Sequence, residues 1–506
     1  MPKNQKVKKN LSFANFVDRF YLPLLVVLAV VPRLVNITKS SIWHDEGFSM
    51  MLAGRTPVDI WLGSARDVHP PLYYLLLHYW TQMFGTSALA ARSMSAVLSI
   101  ITVVVGYKVV QMVSTERAAK LTGVFLALAP FLIRYSQEAR MYGVLGVFLI
   151  IGTWLLLKIV ERPRNIWLWV SYVLVMTAGF YTHYFTLFAL MAQWLYLLTL
   201  EPVKSWKIGK TLWLSPAWWG ANIAIVLLYI PWLPNFVAQF TRGQGIGWIP
   251  KTTLYTLPSG LWQFFTYTDA RALPSLVYFA LPVLILAGSA YILMGDKDSQ
   301  SHGKRLVVLY ALVPILLTIA VSIKKPIYQD RYLAFAAVGI YMICAMVIDK
   351  LAYQRQILFY GLAALVIAIE LIGIRNVYHQ ANHQMTVVAA TVNDNYQTDD
   401  IIMAGELYVY FDFSYYNQTG VLPRLFTPRN ADGSINHPNG YGESGLLYDR
   451  ATQIYTDDLS SVPAGRRVWL VGKTGDKAYY ADIPAGWRLL REDEAGGSEV
   501  RLYQVQ

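Results

Sequence analysis

The chain has 506 residues, of which 55% are apolar or aromatic, only 15% are charged, and the formal net charge is +12. Soluble domains average about 45–50% apolar and about 25% charged residues, so this composition excludes a water-soluble enzyme as the whole molecule. Resolved along the chain the charge also excludes a simple polyanion binder: residues 1–375 carry 33 basic and 15 acidic side chains, and residues 376–506 carry 10 and 16.

Residues 1–10 form a short basic tail with Lys3, Lys6, Lys8 and Lys9, and the first apolar stretch, 20–38, follows it. Val27-Leu28-Ala29 loosely resembles a signal cleavage site, but the apolar run continues through Val30, Val31, Leu34 and Val35, which favours an uncleaved anchor. Ten further stretches follow at 89–113, 119–134, 141–160, 166–183, 185–200, 216–234, 274–294, 305–323, 331–349 and 357–375. Each is long enough to cross a hydrocarbon core of about 30 Å as a helix. The fold class expected is therefore a multi-pass α-helical membrane protein of about eleven spans. Alternate loops are basic, as at Arg117 and Lys120, Lys158 to Arg164, Lys204 to Lys210, Lys297 to Arg305, and Lys350 with Arg355. The positive-inside rule then places the N-terminus in the cytoplasm and puts the long loops 39–88 and 235–273, together with residues 376–506, outside a plasma or inner membrane.

Strand-like runs at Ile401–Ala404, Arg467–Val471 and Val500–Val505, separated by turn residues, predict a mixed α/β domain over 376–506. The single cysteine, Cys344, lies in an apolar run and reads as packing.

Polar groups beside membrane spans are expensive to hold and so are informative. They recur at Trp43-His44-Asp45-Glu46, His69-Pro70-Pro71-Leu72-Tyr73-Tyr74, Arg134-Tyr135-Ser136-Gln137-Glu138-Ala139-Arg140-Met141-Tyr142, Tyr181-Thr182-His183-Tyr184, and Lys324-Lys325-Pro326 through Asp330-Arg331-Tyr332. All five fall on the expected outer side. Aromatic residues at span ends usually form an interfacial belt, and loop charges are usually solvated, but neither accounts for five clusters on one face. The two prolines predict an interfacial amphipathic helix over Tyr73–Phe84. Arg134, Glu138 and Tyr142 would share one stripe if helical. Arg33 and Arg92 add outer charge or snorkel. Gly243-Gln244-Gly245-Ile246-Gly247 and Asp296-Lys297-Asp298 resemble a phosphate loop and a metal–nucleotide pair, but both lack the required context and read as loops.

A carboxylate base, guanidinium groups able to fork a phosphate, and aromatic walls suit transfer from a lipid-linked phosphosugar. Four of these motifs in their order, Trp43-His44-Asp45-Glu46, His69 to Tyr74, Ser136 to Tyr142 and Asp330-Arg331-Tyr332, resemble the membrane-embedded GT-C glycosyltransferases, in the branch holding dolichyl-phosphate-mannose protein mannosyltransferases and bacterial aminoarabinose-to-lipid A transferases. The resemblance covers residues 1–375. It implies a polyprenyl-phosphate sugar donor, an inverting transfer to a lipid, protein or polysaccharide acceptor, two interfacial helices in 39–88, and no nucleic acid. It also implies that Asp45 is the catalytic base with Glu46 beside it; because neighbouring side chains point apart, the two are expected to do different jobs. Arg140 and Arg331 are the candidates for the donor phosphate, with Tyr332 and Lys325 behind them. His44, His69, Glu138, Tyr142 and His183 are the candidates for positioning substrate. At His69 the aminoarabinose enzymes carry an acidic residue followed by Lys, so contacts there need not transfer. His44, Asp45, Glu46 and His69 could approach one another around a divalent ion, but they lack the spacing of a compact ligand motif and the resemblance requires no cofactor. A transporter or flippase of an amphipathic anion is the rival reading. It fits less well, because only Glu370 lies well inside a span and no internal repeat is visible.

Overall fold

A computed structural model describes residues 13–200, 212–242, 247–294, 299–430, 432–475 and 482–506. The basic tail, the Lys204–Lys210 loop, most of the glycine-rich 243–247 stretch and Asp296-Lys297-Asp298 lie outside the described residues.

Phe13–Leu34 (α1) leads into three helices of the first long loop, His44–Ala53 (α2), Pro57–Arg66 (α3) and Leu72–Phe84 (α4). Ala88–Val113 (α5), Glu116–Leu128 (α6), Pro130–Ser136 (α7), Tyr142–Glu161 (α8), Ile166–Thr182 (α9) and Thr186–Leu198 (α10) follow. After them come Pro216–Tyr229 (α11), Leu233–Arg242 (α12), Thr256–Thr266 (α13), Ser275–Leu293 (α14), Ser299–Ser322 (α15), a short 3-10 turn at Asp330–Leu333, Ala334–Leu351 (α16) and Gln356–Tyr378 (α17). Their starts are written locally: the side chains of Thr56, Ser87, Thr115 and Ser215 each accept from a backbone N–H of the first turn, and Pro57, Pro130 and Pro216 open helices where no N–H is needed.

Among the described residues six helices are long and apolar enough to cross a membrane, or up to eight if each of two bent pairs is one span. The pairs are α6 with α7, bent by 51° at Ala129-Pro130, and α11 with α12, bent by 76°. Helices α9 and α10 are apolar but shorter, at 17 and 13 residues. The expected count of eleven is thus not reached by length and composition, although every expected stretch holds a helix. On α17 the exposed side chains include Ile357, Leu365, Leu371 and Ile372, an apolar face suited to lipid. Helix α4 takes the place of the expected interfacial helix, burying Tyr73, Tyr74 and Leu77 and exposing Tyr79, Met83 and Phe84. The first loop holds three helices rather than two.

Two arginines read as outer charge or snorkelling are neither. Arg33 is fully buried and donates to the carbonyls of Ala29, Leu126 and Ala127 and to Ser99 Oγ, so it satisfies the carbonyl ends that the break in α6–α7 leaves open. Arg92 is likewise buried and donates to the carbonyls of Ile37, Ser40 and Ser41.

The C-terminal part is a mixed-sheet domain. Its strands are Ile401–Ala404 (β1), Arg424–Phe426 (β2), Tyr455–Thr456 (β3), Arg467–Lys473 (β4), Trp487–Ala495 (β5) and Ser498–Val505 (β6), in the order β3-β2-β1-β4-β6-β5. The first four are parallel, and β6 runs antiparallel to both β4 and β5. Helices Met385–Asn395 (α18) and Leu407–Tyr416 (α19) accompany them. This domain is seated directly on the first loop. A Cβ on Gly47 of α2 would lie 2.7 Å from the carbonyl carbon and oxygen of Phe411 in α19, so the glycine permits backbone-to-backbone contact. Tyr416 Oη accepts from the Ile42 N–H, Ser41 N–H donates to the His383 carbonyl, and Arg55 donates to the Leu446 carbonyl.

Candidate active site

Docking of the domain on the first loop encloses a cavity of about 600 Å³ whose lining includes Trp43, His44, Asp45, Asp67, His69, Arg140, Trp248, Arg331 and Tyr332, with Tyr408, Asp412, Tyr441 and Glu443 from the C-terminal domain. That volume lies within the range of small-molecule sites.

The two adjacent carboxylates sit in the first turn of α2 and separate completely. Glu46 is fully buried, and its two oxygens accept from Arg92 Nε at 2.8 Å and Nη2 at 2.5 Å, from the Ala139 N–H at 2.7 Å and from the Trp43 N–H at 3.4 Å. It ties the start of α2 to α5 and to the turn before α8, and it does not border the cavity of Asp45. Asp45 borders the cavity. Arg331 Nη1 donates to its Oδ2 at 3.1 Å, Arg140 Nε lies 3.7 Å from the same oxygen, and His44 Nε2 is 4.0 Å from Oδ1. Burial opposes ionisation of Asp45, but Arg140 and Arg331, with His44, hold its carboxyl below the usual carboxylate range.

Both guanidinium groups keep donors in reserve. Arg140 is anchored through Nη1 to the Asp45 carbonyl and Ser49 Oγ, and its Nε makes no hydrogen bond; Arg331 Nε is also buried without a partner among the described residues. Arg331 is held inside a box of rings, its Cζ lying 5.9, 5.9, 5.5 and 6.0 Å from the centroids of Trp43, Tyr142, Trp248 and Tyr332. The turn that carries it is pressed onto α13, where a Cβ at Gly260 would overlap the Tyr328 hydroxyl.

The remaining candidates fall into groups. His69 and His183 face each other with ring centroids 5.3 Å apart, and both pack against Tyr332. Burial depresses both imidazoles, with Arg140 adding to it, and His183 falls to about 3, so both are neutral near pH 7. Glu138 pairs with Arg134 at 2.7 Å, its second oxygen buried without a partner, and burial raises its carboxyl. The helical stripe of Arg134, Glu138 and Tyr142 does not form, because α7 ends at Ser136 and Gln137 turns back to donate to the carbonyls of Pro32, Arg33 and Val35. Glu138 and Tyr135 instead line a second polar cavity of about 350 Å³, which shares Trp43, Arg331 and His383 with the first. Tyr142 packs against Tyr332 behind Arg331. Lys325 is not brought to either cavity; it donates to the Phe240 carbonyl and sits over that ring.

His44 is hydrogen-bonded through Nε2 to Glu443, which reading by motif missed. Nothing near Glu443 or Asp412 in the chain signals a site; only the docked domain brings them there. Asp67 was also missed, although its place two residues before His69 could have signalled it: it accepts from Tyr74 Oη at 3.1 Å, and burial pushes its carboxyl up to about 6. His44, Asp45 and Glu443 place three ligand atoms within 4.8 Å of one another. Two guanidinium groups already balance Asp45, and Glu46 and His69 are turned to other partners, so this donor set fits a divalent ion poorly.

Comparison with solved structures decides the fold. ArnT from Cupriavidus metallidurans, bound to undecaprenyl phosphate, superposes over 95% of this chain and 98% of its own with a TM-score of 0.64 at 12% identity. The chain has the GT-C glycosyltransferase fold. The archaeal oligosaccharyltransferase AglB from Archaeoglobus fulgidus, in complex with an inhibitory peptide and a dolichol-phosphate, shares this GT-C architecture over 97% of this chain and 75% of its own, with a TM-score of 0.55 and 12% identity. The family described as dolichyl-phosphate-mannose-protein mannosyltransferase matches residues 68–234, which run from the His69 turn of the GT-C core through α11. Comparison with curated protein sequences gives no match.

Proposed function

We propose that this protein is a glycosyltransferase that moves a hexosyl or pentosyl group from a polyprenyl-phosphate donor to an acceptor at the outer face of the membrane, with inversion and with Asp45 as general base. The observation that carries this reading is the buried Asp45 carboxylate bracketed by Arg140 and Arg331, each with an N–H that has no hydrogen-bond partner. A phosphate arriving between the guanidinium groups would take up those donors and draw Arg331 from the carboxylate, leaving Asp45 free to accept a proton. The acceptor oxygen then bonds to the anomeric carbon as its proton passes to Asp45, and the bond from that carbon to the phosphate oxygen breaks with its electron pair on the phosphate. Arg331 and Arg140 stabilise that leaving charge in a site partly walled by aromatic rings. Attack opposite the leaving group in one displacement inverts the anomeric centre. Glu46 anchors the first turn of α2, which carries Asp45, to Arg92 and the Ala139 N–H.

The undecaprenyl phosphate of the ArnT structure and the dolichol-phosphate of the AglB structure support a polyprenyl-phosphate carrier here. The test is incubation of the purified protein with labelled polyprenyl-phosphate sugars and candidate lipid, peptide and polysaccharide acceptors. Release of polyprenyl phosphate with labelled acceptor is expected. Movement of intact donor across vesicles without bond cleavage would make the protein a transporter.

A further inference from the structure

The cavity over Asp45 has two unlike walls. Arg140 and Arg331 face it from the helical bundle, whereas the C-terminal domain contributes the carboxylates of Asp412 and Glu443 and the ring of Tyr408. Asp412 and His44 are 7% and 6% exposed, yet Asp412 Oδ1 and His44 Nδ1 have no hydrogen-bond partner among the described residues. A buried polar atom left without a partner is costly, so a ligand's hydroxyl groups, which both donate and accept, would be stabilised there. Tyr408, 55% exposed, packs edge-on against His44 with centroids 4.4 Å apart and sets a flat ring in the same lining as the carboxyl oxygens of Asp412 and Glu443.

That combination suits a polyhydroxylated ring, which carries O–H groups on its rim and C–H groups on its faces. Lys473 borders the cavity from the same domain and tempers the negative charge, which favours a neutral ring over a cationic one. We propose that Asp412, Glu443 and Tyr408, with His44, form a carbohydrate subsite that takes the hydroxyl-bearing ring of a neutral sugar. The ring can belong to the donor or to the acceptor. The subsite rests on the proposed function only in leaving phosphate to the arginines.

Binding to the purified full-length protein in detergent is measured with undecaprenyl phosphate, with undecaprenyl-phosphate-linked neutral hexoses, and with a set of neutral methyl hexosides at millimolar concentration. The Asp412→Asn, Glu443→Gln double variant is expected to hold undecaprenyl phosphate as the wild type does. It should lose about tenfold or more in affinity for a sugar-bearing probe, as expected when hydrogen bonds to charged groups are lost. The loss appears with the lipid-linked hexoses if the ring is the donor's and with the methyl hexosides if it is the acceptor's. Unchanged affinity in both arms, no contribution of the sugar to wild-type affinity in either arm, or wild-type preference for an anionic methyl glucuronide overturns the subsite. If the double variant does not fold, Tyr408→Ala, which trims an exposed ring, is read by the same criteria. Failure of the wild type to bind undecaprenyl phosphate would instead count against the phosphate reading, and the methyl hexoside arm would still decide the subsite.

Discussion

Asp45 and Glu46 are chemically alike and adjacent, and their partners give them different jobs. Each oxygen of Glu46 is taken by Arg92 and a backbone N–H, so its removal leaves a buried guanidinium uncompensated. Glu46→Ala is therefore expected to destabilise the protein by about 3–5 kcal/mol, read as a lowered thermal midpoint in detergent. An unchanged midpoint would show that the pair contributes nothing net. Asp67 shifts the other way. Its folded-state carboxyl, pushed up by burial to about 6, keeps a proton between roughly pH 4 and 6 that the unfolded chain has lost. The stability this contributes is complete below the ordinary pKa and is lost as pH rises through about 6. Asp67→Asn, which fixes the neutral form, should raise stability above pH 6 by up to about 3 kcal/mol and leave it unchanged at about pH 3, as followed by unfolding across pH. That Asp45 and Glu46 would diverge was legible from their adjacency. Which one would be tied down was not, because Arg92 and Ala139 come from segments far along the chain.

At the scale of elements, apolar runs marked the long helices of the bundle, since that signal is local. Breaks were harder to read: Pro130 splits α6 from α7, and a 76° bend follows α11, where the sequence shows one continuous apolar stretch. The expected stripe from Arg134 to Tyr142 failed for the same kind of reason, because Gln137 is drawn to carbonyls at the end of α1. In the C-terminal domain β1, β4 and β6 were legible as buried β-branched runs. Strands β2 and β3, only 3 and 2 residues long, and the largely exposed β5 were not. Helix α2 meets α19 through Gly47, where a methyl group would collide with backbone that cannot rotate away. Gly47→Ala should cost about 1–3 kcal/mol through this overpacking and loosen the domain, so that proteolysis in the 379–384 linker speeds up. Wild-type cleavage rates would show that the contact is slack.

For the whole molecule, the basic excess before residue 375 includes buried struts such as Arg33 and Arg92 and the two guanidinium groups, Arg140 and Arg331, that bracket Asp45. Residues of four of the five polar motifs, Trp43 to Asp45, His69, Arg140, and Arg331 with Tyr332, line the cavity over Asp45. They could not foretell that a separate domain would close over Asp45 and add Glu443 and Asp412, since that depends on docking rather than on any local pattern. The GT-C fold and the bracketed carboxylate lead to one decisive comparison: release of polyprenyl phosphate by wild type and by Asp45→Asn, using whichever lipid-linked sugar the wild type accepts, with undecaprenyl phosphate affinity measured on the same samples. If Asp45 is the base, the variant's turnover falls by about 10²–10⁴-fold while it binds undecaprenyl phosphate at least as well as the wild type. Turnover within a few-fold of wild type, with binding retained, would contradict it.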